Sequence, residues 1–101
     1  MLEKRLRVTH AEGLHARPAS IFVKEASEFQ SDILVRNETA GRGPVNAKSI
    51  LSVLTLGVEA GSEITLIISG PDEEEAMERL SHLILNGFGE RGGYNGVKSQ
   101  S

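Results

Sequence analysis

Residues 12–20 of this 101-residue chain read EGLHARPAS and place His15, Arg17 and Pro18 together just after Gly13. An imidazole is a nucleophile and a proton carrier near neutral pH, and a guanidinium is a fixed cation whose planar donor fork suits phosphate and carboxylate. Proline lacks an N–H and is tolerated in the first turn of a helix, so Pro18 marks a helix that starts beside His15. The first N–H groups of such a helix have no partner within it and lie at the positive end of its dipole. They form a backbone anion site to which Arg17 adds charge, and phosphate binds such helix starts readily. The same field favours the neutral imidazole, whose ring lone pair can attack. His15 is thereby placed to accept a phosphoryl group, with donors arranged for its oxygens. A plainer reading stands beside this one on these residues alone: His15 as a helix-capping residue and Arg17 as a solvated surface charge.

Elements on both sides must hold this stretch in place. Over Lys4–Val8, Leu6 and Val8 alternate with Arg5 and Arg7, which predicts a half-buried strand. Ala19, Phe22, Val23, Ala26 and Phe29 recur at helical spacing and predict a helix from Ala16 to Phe29. SDILVRN predicts a second strand and NETAGRGP a turn or exposed loop, with a short third strand around Val45 completing a hairpin. Ser49 stands where an N-cap belongs, ahead of a short apolar helix that carries Ile50, Leu51, Val53, Leu54 and Leu56 and stops at Gly57. SEITLIIS is apolar enough throughout to be a central strand. GPDEEEAMERLSHLILNG predicts a helix with Pro71 early, four acidic residues in its first turns, a buried stripe of Ala76, Leu80, Leu83 and Ile84, and Gly87 after its end. The order β-α-β-β-α-β-α implies an α+β fold, a sheet covered by helices on one face. RGGYNGVKSQS, residues 91–101, has the composition of a disordered tail.

A chain of 101 residues has room for one core, and without cysteine it has neither disulfides nor a thiol nucleophile. Fourteen acidic against 11 basic residues, a formal charge of −3 and only 4% aromatic residues argue against nucleic-acid binding. His10, His15 and His82 have no ligand-like spacing, so no metal is expected. The N-terminus is too charged for a signal peptide, and no apolar run approaches the roughly 20 residues of a membrane span. A cytoplasmic protein without membrane insertion is expected. No GxxxxGK[ST] loop or glycine-rich dinucleotide turn appears, which makes another phosphoprotein the expected phosphoryl donor and leaves no cofactor assigned.

GLHARPAS, KSILSVLTLG and GSEITLIISGPDEEEA together, in this order, resemble the HPr phosphocarrier family of the bacterial phosphoenolpyruvate-dependent sugar phosphotransferase system, over about residues 4–90. The resemblance implies an open-faced β-sandwich, a four-stranded antiparallel sheet with three helices on one face, forming a domain over residues 1–90. It implies that His15 is phosphorylated on Nδ1 by enzyme I and passes the group to enzyme IIA domains, that Arg17 stabilises the phosphate, and that the carrier is a monomer. Ser49 matches the serine modified by HPr kinase/phosphorylase in many bacteria, whose phosphorylated form regulates carbon catabolism with a catabolite-control transcription factor. By the same resemblance Ile50, Leu51 and Leu54 form an apolar docking surface for enzyme I and enzyme IIA, with simple core packing as the alternative for each.

Two rivals stay within reach of the same motifs. One is the carrier of the nitrogen-related branch of the phosphotransferase system, against which Lys48 before Ser49 favours the sugar type. The other is a regulatory corepressor-type binding protein acting through phospho-Ser49, a role some HPr-like proteins have after losing the histidine. Residues 37–44 make the hairpin longer than the compact turn of the family. Glu12 places an acid where its charge would oppose a phosphoryl group if it faced inward.

Overall fold

The computed structural model of the chain describes residues 1–89. Four strands, β1 (Leu2–Arg7), β2 (Asp32–Asn37), β3 (Arg42–Asn46) and β4 (Glu63–Ser69), form one antiparallel sheet in the order β1-β4-β2-β3. Three helices, α1 (Ala16–Ala26), α2 (Ile50–Thr55) and α3 (Glu73–Leu85), accompany the sheet, and a short 3-10 turn at Gly87–Gly89 follows. This is the expected α+β arrangement. No helix among the described residues is long and apolar enough to cross a membrane, and the tail expected from residue 91 lies outside them.

Alternation along the strands sets the two faces of the sheet. Leu6, Ile33, Val35, Ile64, Leu66 and Ile68 are buried on the helix side, where they meet Ala19, Phe22 and Ala26 of α1, Val53 of α2, and Ala76, Leu80 and Ile84 of α3. On the other face, Arg5 and Arg7 both pair with Glu63, and the Thr65 hydroxyl donates to Glu38 at 2.6 Å. That second face is mostly charged and polar apart from the paired Leu34 and Ile67, and the helices lie on the other face, as the resemblance implies. The expected helix stripes hold except at Val23 and Leu83, which are only partly buried against the core.

Several boundaries differ from expectation, beginning with β1, which spans Leu2–Arg7 and not Lys4–Val8. Helix α1 ends at Ala26, three residues before Phe29. The chain leaves the helix in tight turns, Ser27 N to Val23 O, Glu28 N to Glu25 O and Phe29 N to Ala26 O, so Phe29 reaches the core from a turn. Arg79 of α3 lies over its ring at 5.2 Å and pairs with Glu25 at 2.6 Å, which ties α3 to α1. Arg42–Pro44, read as loop, belong to β3, because an edge strand can accommodate a proline. The turn before it is held by Asn37, whose side chain donates to Leu56 O at 2.9 Å and accepts from Ala40 N at 3.0 Å. Finally, Pro71 precedes α3 by two residues, and the helix begins at Glu73.

The start of α3 is fastened to the turn after α1 by one carboxylate. Asp72 accepts hydrogen bonds from Gln30 N at 2.9 Å, Ser31 N at 3.0 Å and the Ser31 hydroxyl. The Ser31 hydroxyl, followed by the Gln30 amide, holds the Asp72 carboxyl below its ordinary value. A carboxyl depressed in the folded state stabilises the fold above its unfolded value, and that contribution is lost as pH falls through the folded value. Asp72→Asn should therefore lower Tm at pH about 7 and narrow its gap from the parent as pH is taken down below the ordinary aspartate value of about 3.9. Thermal melts of both proteins across that range check this, and a gap that does not change with pH would contradict it.

Candidate functional site

The loop from His10 to Leu14 is fixed before His15 is reached. Gly13 N donates to His10 O at 2.9 Å, and Leu14, fully buried, donates its N–H to Val58 O at 2.9 Å. Gly13 has φ +62°, and a Cβ there would stand 2.1 Å from Val58 O. Only glycine allows so close an approach of the two backbones. Farther along, Val8 N donates to Ser62 O at 2.8 Å and Gly61 N to Val8 O at 2.7 Å. The segment Val58–Ser62 is thus strapped along Val8–Leu14, and both run up to the start of α1.

His15 occupies the N-cap position of α1 with extended backbone, φ −122° and ψ 166°, and its side chain makes no capping hydrogen bond. Capping was the plainer reading of this residue, and the ring is turned elsewhere. Ala16 follows with φ +51°, in the left-handed region that a residue with a Cβ adopts at a cost of roughly 1–2 kcal/mol. A left-handed residue leading into a right-handed helix turns successive N–H groups toward one side, an arrangement that gathers anions. Pro18 and Ala19 are buried beneath, so the first turn is anchored while His15 and Arg17 stay at the surface. Arg17 is exposed, in the same turn as the amides at the positive end of the helix dipole.

The His15 ring meets a residue that the spacing of the motif does not point to. Its Nε2 lies 3.3 Å from Oε2 of Glu59, on the strapped segment, with the His15 side chain 37% and the Glu59 side chain 77% exposed. Glu12, the acid flagged in the motif itself, is exposed, and its N–H donates to His10 Nδ1 at 3.0 Å. The fold therefore brings a carboxylate to the histidine from 44 residues away. Nothing in the chain's periodicity signals this; the glycines at 57 and 61 mark a turn there, not its destination.

Helix α2 packs on α1 and carries the remaining expected residues. Val53 and Leu56 are buried, and Ile50, Leu51 and Leu54 are 37%, 75% and 39% exposed. Within the six-residue helix only Val53 faces the core, Leu56 being buried from the C-cap position, and the three other large apolar groups reach solvent. Ser49 is the N-cap, its hydroxyl accepting from Ser52 N at 3.3 Å. Lys48 donates from its ammonium to Phe29 O at 2.7 Å, closing the turn that follows α1.

Chemically, the site combines an accessible imidazole, a helix start with an adjacent guanidinium, and an apolar surface on the neighbouring helix. A small group carrying negative charge can be held at the ring, and a partner can seat beside it.

Residues 2–86 match the family model PTS-HPr, described as the PTS HPr component phosphorylation site. The phosphocarrier protein HPr of Streptomyces coelicolor is 47% identical over 90 residues, covering 89% of this chain and 95% of its own. The HPr-like protein Crh of Bacillus subtilis is 44% identical over 81 residues, 80% of this chain and 92% of its own. Among solved structures, HPr-C-His from Thermoanaerobacter tengcongensis superposes with a TM-score of 0.83 at 44% identity, over 89% of this chain and 98% of that one. The crystal structure of Bacillus subtilis Crh, described as a domain-swapped dimer, gives a TM-score of 0.65 at 40% identity, over 86% and 97% of the two chains.

Proposed function

From the premise that this chain belongs to the HPr phosphocarrier family, we propose that it accepts a phosphoryl group on His15 Nδ1 from phosphorylated enzyme I. It passes that group to enzyme IIA domains in phosphoenolpyruvate-dependent sugar uptake, in the cytoplasm and as a monomer. The observation that carries the reading is His15 itself: a partly exposed imidazole at the start of α1, free of a capping role, with Arg17 in the first turn of that helix. Arg17 and the first-turn amides stabilise the phosphoryl oxygens, and in phosphoryl transfer such positioning and charge are most of what a protein contributes. The donor's bond to phosphorus breaks as the Nδ1 lone pair forms the new one, and the reverse exchange delivers the group to the next acceptor. Ile50, Leu51 and Leu54 form the apolar surface on which enzyme I and enzyme IIA seat.

Mixing the protein with purified enzyme I of the sugar and nitrogen branches and labelled phosphoenolpyruvate tests this reading. Faster labelling by the sugar-branch enzyme is expected; preference for the other enzyme would reassign the branch, and no labelling by either would overturn the carrier function.

The 44% identity to Crh brings in a second reading, regulation through phospho-Ser49 by an HPr kinase/phosphorylase and a catabolite-control transcription factor, against which the retained His15 weighs. Both readings meet at Ser49. A phosphate there would face the first amides of α2 and carry a charge of about −1.5 to −2 beside the apolar surface. Ser49→Asp, a partial mimic, should raise the KM for enzyme I severalfold with helix content unchanged, because a partner must then desolvate a carboxylate next to that surface. Ser49→Ala should transfer normally and lose about 0.5–1 kcal/mol of stability with its cap. Steady-state kinetics with circular dichroism check this; an unchanged KM for the aspartate variant would leave Ser49 as a cap alone.

A further inference from the structure

We propose that Glu59 is a positioning residue for His15: its carboxylate fixes the ring tautomer that bears hydrogen on Nε2 and so keeps the lone pair on Nδ1. This deepens the reading of His15 as the phosphoryl acceptor and rests on it. The contact that carries it is Nε2 to Oε2, 3.3 Å. An ionised carboxylate has no hydrogen to donate, so it can be satisfied there only by a ring nitrogen that carries one. A neutral imidazole has one N–H and one lone pair, and a hydrogen bond made by one nitrogen decides the role of the other. With Nε2–H turned to Glu59, the nucleophilic atom is Nδ1.

The placement of Glu59 follows from the backbone. It sits between Val58, whose carbonyl receives Leu14 N, and Gly61, whose N–H donates to Val8 O. Gly13 packs against the Val58 carbonyl and the Glu59 backbone, with a notional Cβ 2.1 Å from the oxygen and 2.9 Å from the Glu59 carbonyl carbon. The two segments are thus held in fixed register, and a residue remote in sequence is kept within reach of the ring.

The same contact acts in both directions of transfer. When the Nδ1 lone pair forms the bond to phosphorus, the bond between phosphorus and the donor breaks with its electron pair on the donor. No proton leaves the ring, which keeps Nε2–H and carries positive charge facing the Glu59 carboxylate. On delivery the N–P bond breaks, its electron pair returns to Nδ1, and the ring departs as neutral imidazole, still with Nε2–H. A ring that had lost its Nε2 proton would be a poorer leaving group, and the contact with Glu59 is made by that N–H in both states.

Nitrogen NMR of the unphosphorylated protein, with ¹⁵N-labelled histidine at a pH that keeps the imidazole uncharged, reads the tautomer directly. The ratio of Nε2–H to Nδ1–H forms should fall about two- to five-fold in Glu59→Ala, the range open to an exposed charge-assisted contact, and less in Glu59→Gln, whose amide oxygen still accepts. Transfer from enzyme I should slow in the same order, with kcat affected more than KM. An unchanged ratio in Glu59→Ala would overturn the assignment even if His15 carries the phosphoryl group. Conversely, failure of His15 to be labelled by enzyme I would defeat the carrier function while leaving the NMR ratios to decide the Glu59 contact on their own.

Discussion

Replacing His15 with alanine should reduce phosphoenolpyruvate-dependent labelling by enzyme I to background while the fold stays intact. The loss is expected to be complete because neither of the other histidines is placed to substitute: His10 engages the Glu12 amide and lies edge-on to Phe88 at 5.8 Å, and the ring of His82, on α3, lies 3.2 Å from the side-chain nitrogen of Asn86. Stability should change little, since the His15 side chain is 37% exposed and its contact with Glu59 is at the surface. A change within about 0.5 kcal/mol is the ordinary result for such a site. Radiolabelling and a thermal melt of the same preparation measure both halves. Labelling of the alanine variant at the parent rate would place the chemistry elsewhere.

The largest loss of stability is expected at Gly13. Alanine there must hold φ +62° and bring its Cβ to within 2.1 Å of Val58 O, a backbone atom that cannot swing aside. The left-handed conformation costs about 1–2 kcal/mol and forced overpacking about 1–3 kcal/mol, for a total on the order of 2–5 kcal/mol. For a domain of this size the fall in Tm is on the order of 10–25 °C. Function should suffer at temperatures where the variant is still folded, because relief of the clash parts the His10–Leu14 loop from the segment bearing Glu59. A Gly13→Ala protein that melts within a few degrees of the parent would show that the two backbones separate easily, and the fixed register at the site would fall with it.

Residues whose role is local were legible in the sequence. Ser49 before an apolar run, glycine after it, and alternation in the strands are short-range signals, and the structure has the N-cap, the short helix and the two-faced sheet. The His15, Arg17 and Pro18 cluster was legible for the same reason, since a helix start is read within one turn. What the sequence hid depends on contacts far apart along the chain. Asn37 looks like the end of a strand and is a buried link between the hairpin turn and Leu56 O. Phe88 lies beyond the glycine that stops α3, yet a positive φ of 63° folds it back until it is 2% exposed. Phe29 has helical spacing but reaches the core from a turn, so the pattern extended α1 three residues too far. Glu59 has no sequence signal at all. Its meaning arises from two backbone segments held together at Gly13.

These observations converge on the proposal that His15 Nδ1 is the phosphoryl acceptor. Phosphorus and nitrogen NMR of the protein phosphorylated by enzyme I and phosphoenolpyruvate, with ¹⁵N-labelled histidine, locates it through the coupling of phosphorus to a ring nitrogen. One phosphorus bound to Nδ1 of His15, in an adduct labile to acid and stable to base, is the expected result. Phosphorus on Nε2, on another histidine, or in an acid-stable ester would contradict it.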